Sequence, residues 1–165
     1  MSAGSFDEIA AEVARRIERT VWCTVATEDP QGRLRSRILH PLWDGATGWL
    51  LTGRQSAKAK DLAHNPYVAI TYWDQANEQL HIDCRTHWEE RPAEKRRIWD
   101  VFKTTPAPMG YDPGLFFPGP DDASFGVLVL EPWRVELWSL ADLMTGKQPR
   151  VWKAASGASP TRSSA

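Results

Sequence analysis

The chain has 165 residues, 42% of them hydrophobic, and a formal net charge of −1, which suits one domain with a full core and leaves little room for a second. The longest uncharged apolar run, around Val127 to Leu130, is far short of the roughly 20 residues of a membrane span, and the polar, acidic start has no signal-peptide core. A cytoplasmic protein with no membrane partner is expected. Cys23 and Cys84, isolated from each other, support neither a disulfide scaffold nor a zinc module, and the balanced charge argues against a nucleic-acid partner.

Ser5 and Glu8 make a capping-box pair, and Phe6, Ile9, Ala10, Val13 and Ile17 follow at helical spacing, so an amphipathic helix opens the fold. From Val21 the period becomes two. VWCTVAT, an EDPQG turn and RLRSRIL read as a β-hairpin. GWLLT (48–52), YVAITYW (67–73) and QLHIDCR (79–85) are further strands, with SAKAKDLAHNP a short helix between the first two. PAEKRRIWDVFK is a second substantial helix with Pro92 at its first position. Residues 104–124 hold five prolines and three glycines, too many for a regular element, and read as a long loop. FGVLVLEPWRVELW resumes the strand pattern, with Pro132 marking a bulge, bend or edge. The expected domain spans residues 5–152, and residues 153–165 read as a disordered tail. There is no internal repeat. Six or more antiparallel strands with two or three flanking helices define an α+β, mainly β fold, and strands this short tend to close into a barrel.

The net charge hides an uneven distribution. Between Arg33 and Lys60 six cations (Arg33, Arg35, Arg37, Arg54, Lys58, Lys60) face one acid, Asp44, so this stretch carries +5 and the rest of the chain −6. In TGRQSAK, Thr52 to Lys58, a strand end runs into a helix start that Ser56 is placed to cap. The helix dipole, the Lys58 amine and the Thr52 hydroxyl would then meet at one point, as a phosphate site requires; the same residues also fit a capped, solvated surface turn. Period two puts Arg33, Arg35 and Arg37 on one strand face, where their repulsion calls for acidic neighbours or a bound phosphate. One phosphate shared by the two cationic clusters, on adjacent strands, is the economical reading.

His81, Cys84 and His87 have a metal-like spacing, but on a strand Cys84 faces away from both histidines. No nucleophile elbow, Walker loop or G-x-G-x-x-G occurs. Most of the nine tryptophans are read as core or dimer interface, with one or two available to flank a flat aromatic ligand.

These segments resemble the pyridoxamine 5′-phosphate oxidase-like flavin or deazaflavin reductases, split β-barrel proteins that include the general stress protein 26 group. The likeness runs from the first helix to Trp138. Its carriers are VWCTVATEDPQGRLRSRIL, LLTGRQSAKAKDLAHNPYVAITYW, NEQLHI and FFPGPDDASFGVLVLEPWRVELW. The T-x(3)-S-x-K turn is the most specific, and the FPGPDD segment is closest to the general stress protein branch. The resemblance implies a Greek-key-like split barrel that binds FMN through Arg37, with Arg35 beside it, and through Thr52, Ser56 and Lys58. Gln79 would reach the cofactor from a hairpin, and Trp138 would lie near the ring edge at a homodimer interface shared by two clefts. Departures count too. Ala57 stands where the true oxidase has arginine, and GKQPRVWK lacks its substrate-phosphate motif, so pyridoxamine phosphate oxidation is not expected. An FMN-dependent oxidoreductase is the primary expectation. A deazaflavin reductase on the same fold and a non-catalytic flavin, haem or tetrapyrrole binder are the alternatives. No side chain stands out as acid or base, and the loop with Met109, Tyr111, Phe116 and Phe117 is a candidate substrate cover.

Overall fold

Alternating burial along the strands separates a packed face from an open one, and it organises the fold of the computed structural model, which describes residues 3–155. The strands are β1 (Cys23–Glu28), β2 (Leu34–Leu39), β3 (Leu42–Asp44), β4 (Thr47–Gly53), β5 (Tyr67–Trp73), β6 (Glu78–Trp88), β7 (Phe125–Ser139) and β8 (Arg150–Lys153). The helices are α1 (Asp7–Thr20), α2 (Ala57–His64), α3 (Pro92–Thr104) and the short α4 (Leu140–Met144). All strand pairs are antiparallel, in the order β2-β1-β5-β6-β7-β4-β3 with β8 on β7. The sheet curls without closing, because its order ends at β2 and β3; this is the split-barrel form and corrects the expectation of a closed ring.

The curl is filled by α1, whose Ile9, Val13 and Ile17 pack with Val25, Ile70, Tyr72, Leu80 and Ile82. Glu8 accepts hydrogen bonds from the backbone N–H groups of Gly4 and Ser5. Only half of the expected capping box forms, since the Ser5 side chain does not cap and Phe6 is the N-cap. A second core lies on the other face of β4 and β7, where Leu51, Val127 and Val129 meet Ile98, Trp99 and Phe102 of α3. Leu128 and Leu130 belong to the first core. With both faces covered, the apolar run in β7 is continuous, not alternating.

At Pro132 β7 carries a bulge. Asp83 pairs with Arg134 and Cys84 with Pro132, leaving Trp133 extra, so β7 bends and serves β4 with its first half and β8 with its last. Residues 104–124 are ordered and packed, with a 3-10 turn at Pro113–Leu115 and Met109, Tyr111 and Phe117 against the second core. Gly110 lets this segment return to α3: a Cβ there would collide with the carbonyl oxygens of Thr105 and Phe102. The two or three expected helices become four, because α4 forms after Ser139 caps it. The expected tail begins inside β8 at Lys153; its residues 156–165 lie outside the described residues. Among the described residues no helix is long and apolar enough to cross a membrane.

Candidate functional site

The strand-to-helix turn folds as its sequence suggests. Ser56 caps α2, its hydroxyl accepting from the Ala59 N–H at 3.3 Å. The Lys58 ammonium donates to the hydroxyl of Thr52, which is buried at the end of β4. Among the described residues Lys58 makes no ion pair. Its pKa lies below the ordinary lysine value because burial disfavours the charge and the Arg37 guanidinium stands nearby. Arg37 is fixed from below: its Nη1 donates to Thr27 Oγ1 at 2.8 Å and its Nη2 lies 3.5 Å from Asp61 Oδ2. The Thr27 hydroxyl in turn donates to Asp61 at 2.7 Å, so α2 is tied to β1 and β2 through a buried threonine and a buried aspartate. The result is a cradle of two cations crowded together with two hydroxyls, which gains from any anion placed among them.

Arg33, just before β2, and Arg35 within it share the face of Arg37, and both contact one carboxylate. Asp29, buried in the hairpin turn, accepts from Arg33 at 2.8 Å and from Arg35 at 3.3 Å. Burial alone would raise its pKa; hydrogen bonds from the Arg33 backbone and side chain and from Gln31 N–H overcome this and bring it down to about 2. Asp29 relieves part of the repulsion at Arg35, its single charge set against those of Arg33 and Arg35. Contrary to the sequence reading, β2 and β4 are not adjacent strands; they stand near opposite ends of the strand order and approach each other across the open seam.

A cavity of about 540 Å³ occupies that seam, within the range of small-molecule sites. Ile38 and Leu39 of β2 line one side and Leu50 to Gly53 of β4 the other, with Tyr111, Phe116 and Phe117 from the long loop. Its rings form a chain: Trp22 to His40 at 4.9 Å, His40 to Tyr111 at 5.3 Å, and Tyr111 to Phe116 at 5.9 Å. Trp22 and Phe116 are exposed at its rim. Burial pushes the Tyr111 hydroxyl up to about 12 and lowers the His40 pKa, so both are neutral near pH 7. Thr52 belongs to both regions, binding Lys58 through its hydroxyl and lining the cavity.

Gln79 and Trp138 are brought together, but away from the cradle. They are register partners on β6 and β7, half-buried on the open face, with exposed Trp73 paired to Gln79 on the other side. Two strands, β1 and β5, separate them from β2. Arg16 of α1, buried beneath, donates to the backbone carbonyls of both at 2.5 Å. His81 and Arg134 share this patch, while Cys84 is buried in the first core. Sequence reasoning missed Thr27, Asp61 and His40; Asp61, three residues after Lys58 in α2, was the one with a local signal.

The sequence profile named pyridoxamine 5′-phosphate oxidase matches residues 9–139, and the chain belongs to that family. Among solved structures it is similar to a protein from Clostridium acetobutylicum related to general stress protein 26 of B. subtilis. Their identity is 16% and the TM-score 0.68, over 89% of this chain and 95% of the other. It is also similar to a pyridoxamine 5′-phosphate oxidase-related, FMN binding protein from Nostoc punctiforme (17% identity, TM-score 0.61, 81% of this chain, 84% of that one). An F420 reductase is a more distant likeness (19% identity, TM-score 0.53, 73% of this chain, 93% of that one). At these identities the likenesses establish the fold. No curated protein matches the sequence.

Proposed function

We propose that the chain binds FMN and works as a flavin-dependent oxidoreductase on a small-molecule substrate. The observation that carries this is the continuity at Thr52: an anion cradle and an aromatic-walled cavity share one residue, and FMN is a flat ring joined to one phosphate. Lys58, Arg37, Thr52 and Ser56 would hold the phosphate, and the cavity would take the ring. Bound there, the flavin would supply two-electron chemistry, as a hydride acceptor or donor. The protein's own part is to anchor the anion, exclude water with Tyr111, Phe116 and Phe117, and keep the site free of competing charge. The one-chain cradle lacks Gln79 and Trp138, so a homodimer completes the reading, with a second copy presenting these two across the seam. Exposed Trp22, Leu34, Ile38 and Trp73 are apolar surface that such a copy would cover.

The F420 reductase likeness keeps the deazaflavin reading in the test. Mass and absorption of the ligand that co-purifies decide between them: oxidised FMN has two bands in the near-UV and visible, the deazaflavin one dominant band. Reduction of the bound FMN by NADH or NADPH, followed by reoxidation with substrate, is expected of an oxidoreductase. Tight binding without reduction by either nicotinamide or reduced deazaflavin would make it a carrier.

A further inference from the structure

The open face of β5, β6 and β7 carries two cross-strand rows: Trp73, Gln79 and Trp138 in one, Thr71, His81 and Glu136 in the next. Gln79, His81, Glu136 and Trp138 line a cavity of about 350 Å³. The polar groups here are tied to one another. The Trp138 indole N–H donates to Glu136, which also accepts from Arg134, and Arg134 reaches Asp83 at 3.3 Å. The His81 ring bridges the rows: its Nε2 lies 3.2 Å from Gln79 Oε1, and its Nδ1 3.2 Å from the Thr71 hydroxyl. These two contacts fix the tautomer. An amide oxygen only accepts, so Nε2 carries the hydrogen. Burial holds the His81 pKa below the ordinary histidine value, with Asp83 raising it and Arg134 lowering it, so the ring is neutral near pH 7 and Nδ1 accepts from Thr71. With its oxygen bound to His81, the planar Gln79 amide turns its NH2 end away from the imidazole. That nitrogen has no partner among the described residues. From beneath, Arg16 holds the backbone carbonyls of Gln79 and Trp138 at 2.5 Å, so the donor stands on a fixed base in a row between two tryptophans.

We propose that His81 is a positioning residue that orients the Gln79 amide, so that its N–H groups are offered to an acceptor atom on the ring edge of an FMN held by a second copy. The proposal rests on the reading of Gln79 across the seam and adds the direction of the contact: the protein donates and the ring accepts. A donor there would stabilise the negative charge that reduction places on the ring. The chemistry selected is a flat ring with a carbonyl oxygen or an unprotonated nitrogen at its edge; a ring without one leaves the N–H groups unpaired.

Two measurements on the full-length protein test this. Side-chain nitrogen NMR reads the tautomer without any ligand: His81 should be the Nε2–H form near pH 7, its signal assigned by its loss in His81→Phe. The Nδ1–H form would turn the amide around and overturns the proposal. The second measurement is the binding of FMN against 2-thio-, 4-thio- and 5-deaza-FMN, each of which weakens or removes one acceptor atom of the ring. At least one analogue should bind wild type about tenfold more weakly than FMN. That difference should vanish in Gln79→Leu, shrink in His81→Phe and return in His81→Gln, whose amide can donate to Gln79 in place of the imidazole. A merely structural role for His81 would alter all the flavins alike. Equal binding of all the flavins by wild type, or a difference that survives in Gln79→Leu or is undiminished in His81→Phe, overturns the proposal and leaves the cradle and cavity reading intact. If wild type binds no flavin at all, the proposed function fails and this proposal with it, whichever tautomer is found.

Discussion

The two ends of the seam are built in opposite ways. The cradle is charged and made by a short stretch of chain, from the end of β4 through the cap of α2, with Arg37 brought in by Thr27 and Asp61. The cavity is almost wholly apolar and assembled from remote segments: Trp22, the end of β2, β4 and the 107–117 loop. The charged end supplies directional, charge-assisted bonds worth about 1.5–3 kcal/mol each, and the aromatic end supplies ring contacts worth about 0.5–1.5 kcal/mol each. On the proposed reading, affinity is set at the cradle and the choice of ring at the cavity.

The strongest way to break this division is Arg37→Ala with Lys58→Ala. Removing both cations should lower FMN affinity by about a thousandfold or more. Circular dichroism should keep its native shape, because the Thr27–Asp61 hydrogen bond still ties α2 to β1, with a lower melting temperature because the buried Asp61 carboxylate loses its Arg37 partner. A fluorescence titration with unchanged affinity would mean that the anion binds elsewhere. The aromatic end should respond less. Tyr111→Ala removes ring contacts with His40, Phe102 and Phe116 and should weaken FMN about tenfold, while inorganic phosphate still binds the cradle with wild-type affinity by calorimetry.

The smallest effect concerns pH. Lys58 has a lowered pKa, and a bound anion favours its ammonium form, so anion affinity falls as pH rises through that value, beginning below the ordinary lysine pKa of 10.5. Arg37 stays charged, and above about pH 8.5 inorganic phosphate is essentially a dianion, so it should lose only a few-fold of affinity between about pH 8.5 and 10. A Lys58→Arg variant should flatten the profile; a profile equally steep in both would place the titrating group elsewhere.

The same contrast explains what was legible in the sequence. TGRQSAK announces the cradle because strand end, cap and cation are contiguous, and Pro132 announces the bulge because it cannot donate to the ladder. The shared face of Arg33, Arg35 and Arg37 followed from period two. The pairing of Arg33 and Arg35 with Asp29 did not, since a hairpin turn must close before that carboxylate lies beneath them. The cavity was beyond sequence reasoning: nothing near His40 says that Tyr111 will pack against it, and only the fold brings them together. The segments β3, α4 and β8 are too short to show a period. Gln79 and Trp138 were legible as a pair only through the family resemblance, and their distance from the cradle within one chain follows from the strand order.

The central claim is that cradle and cavity hold one ligand by its two ends, and it is tested most directly by titrating FMN and riboflavin, which differ by the phosphate, into wild type and Lys58→Ala. Wild type should bind FMN at least about a thousandfold more tightly than riboflavin, and Lys58→Ala should lower that preference at least about tenfold while leaving riboflavin affinity unchanged. Equal affinities for the two in wild type, or a phosphate preference undiminished in Lys58→Ala, would contradict it.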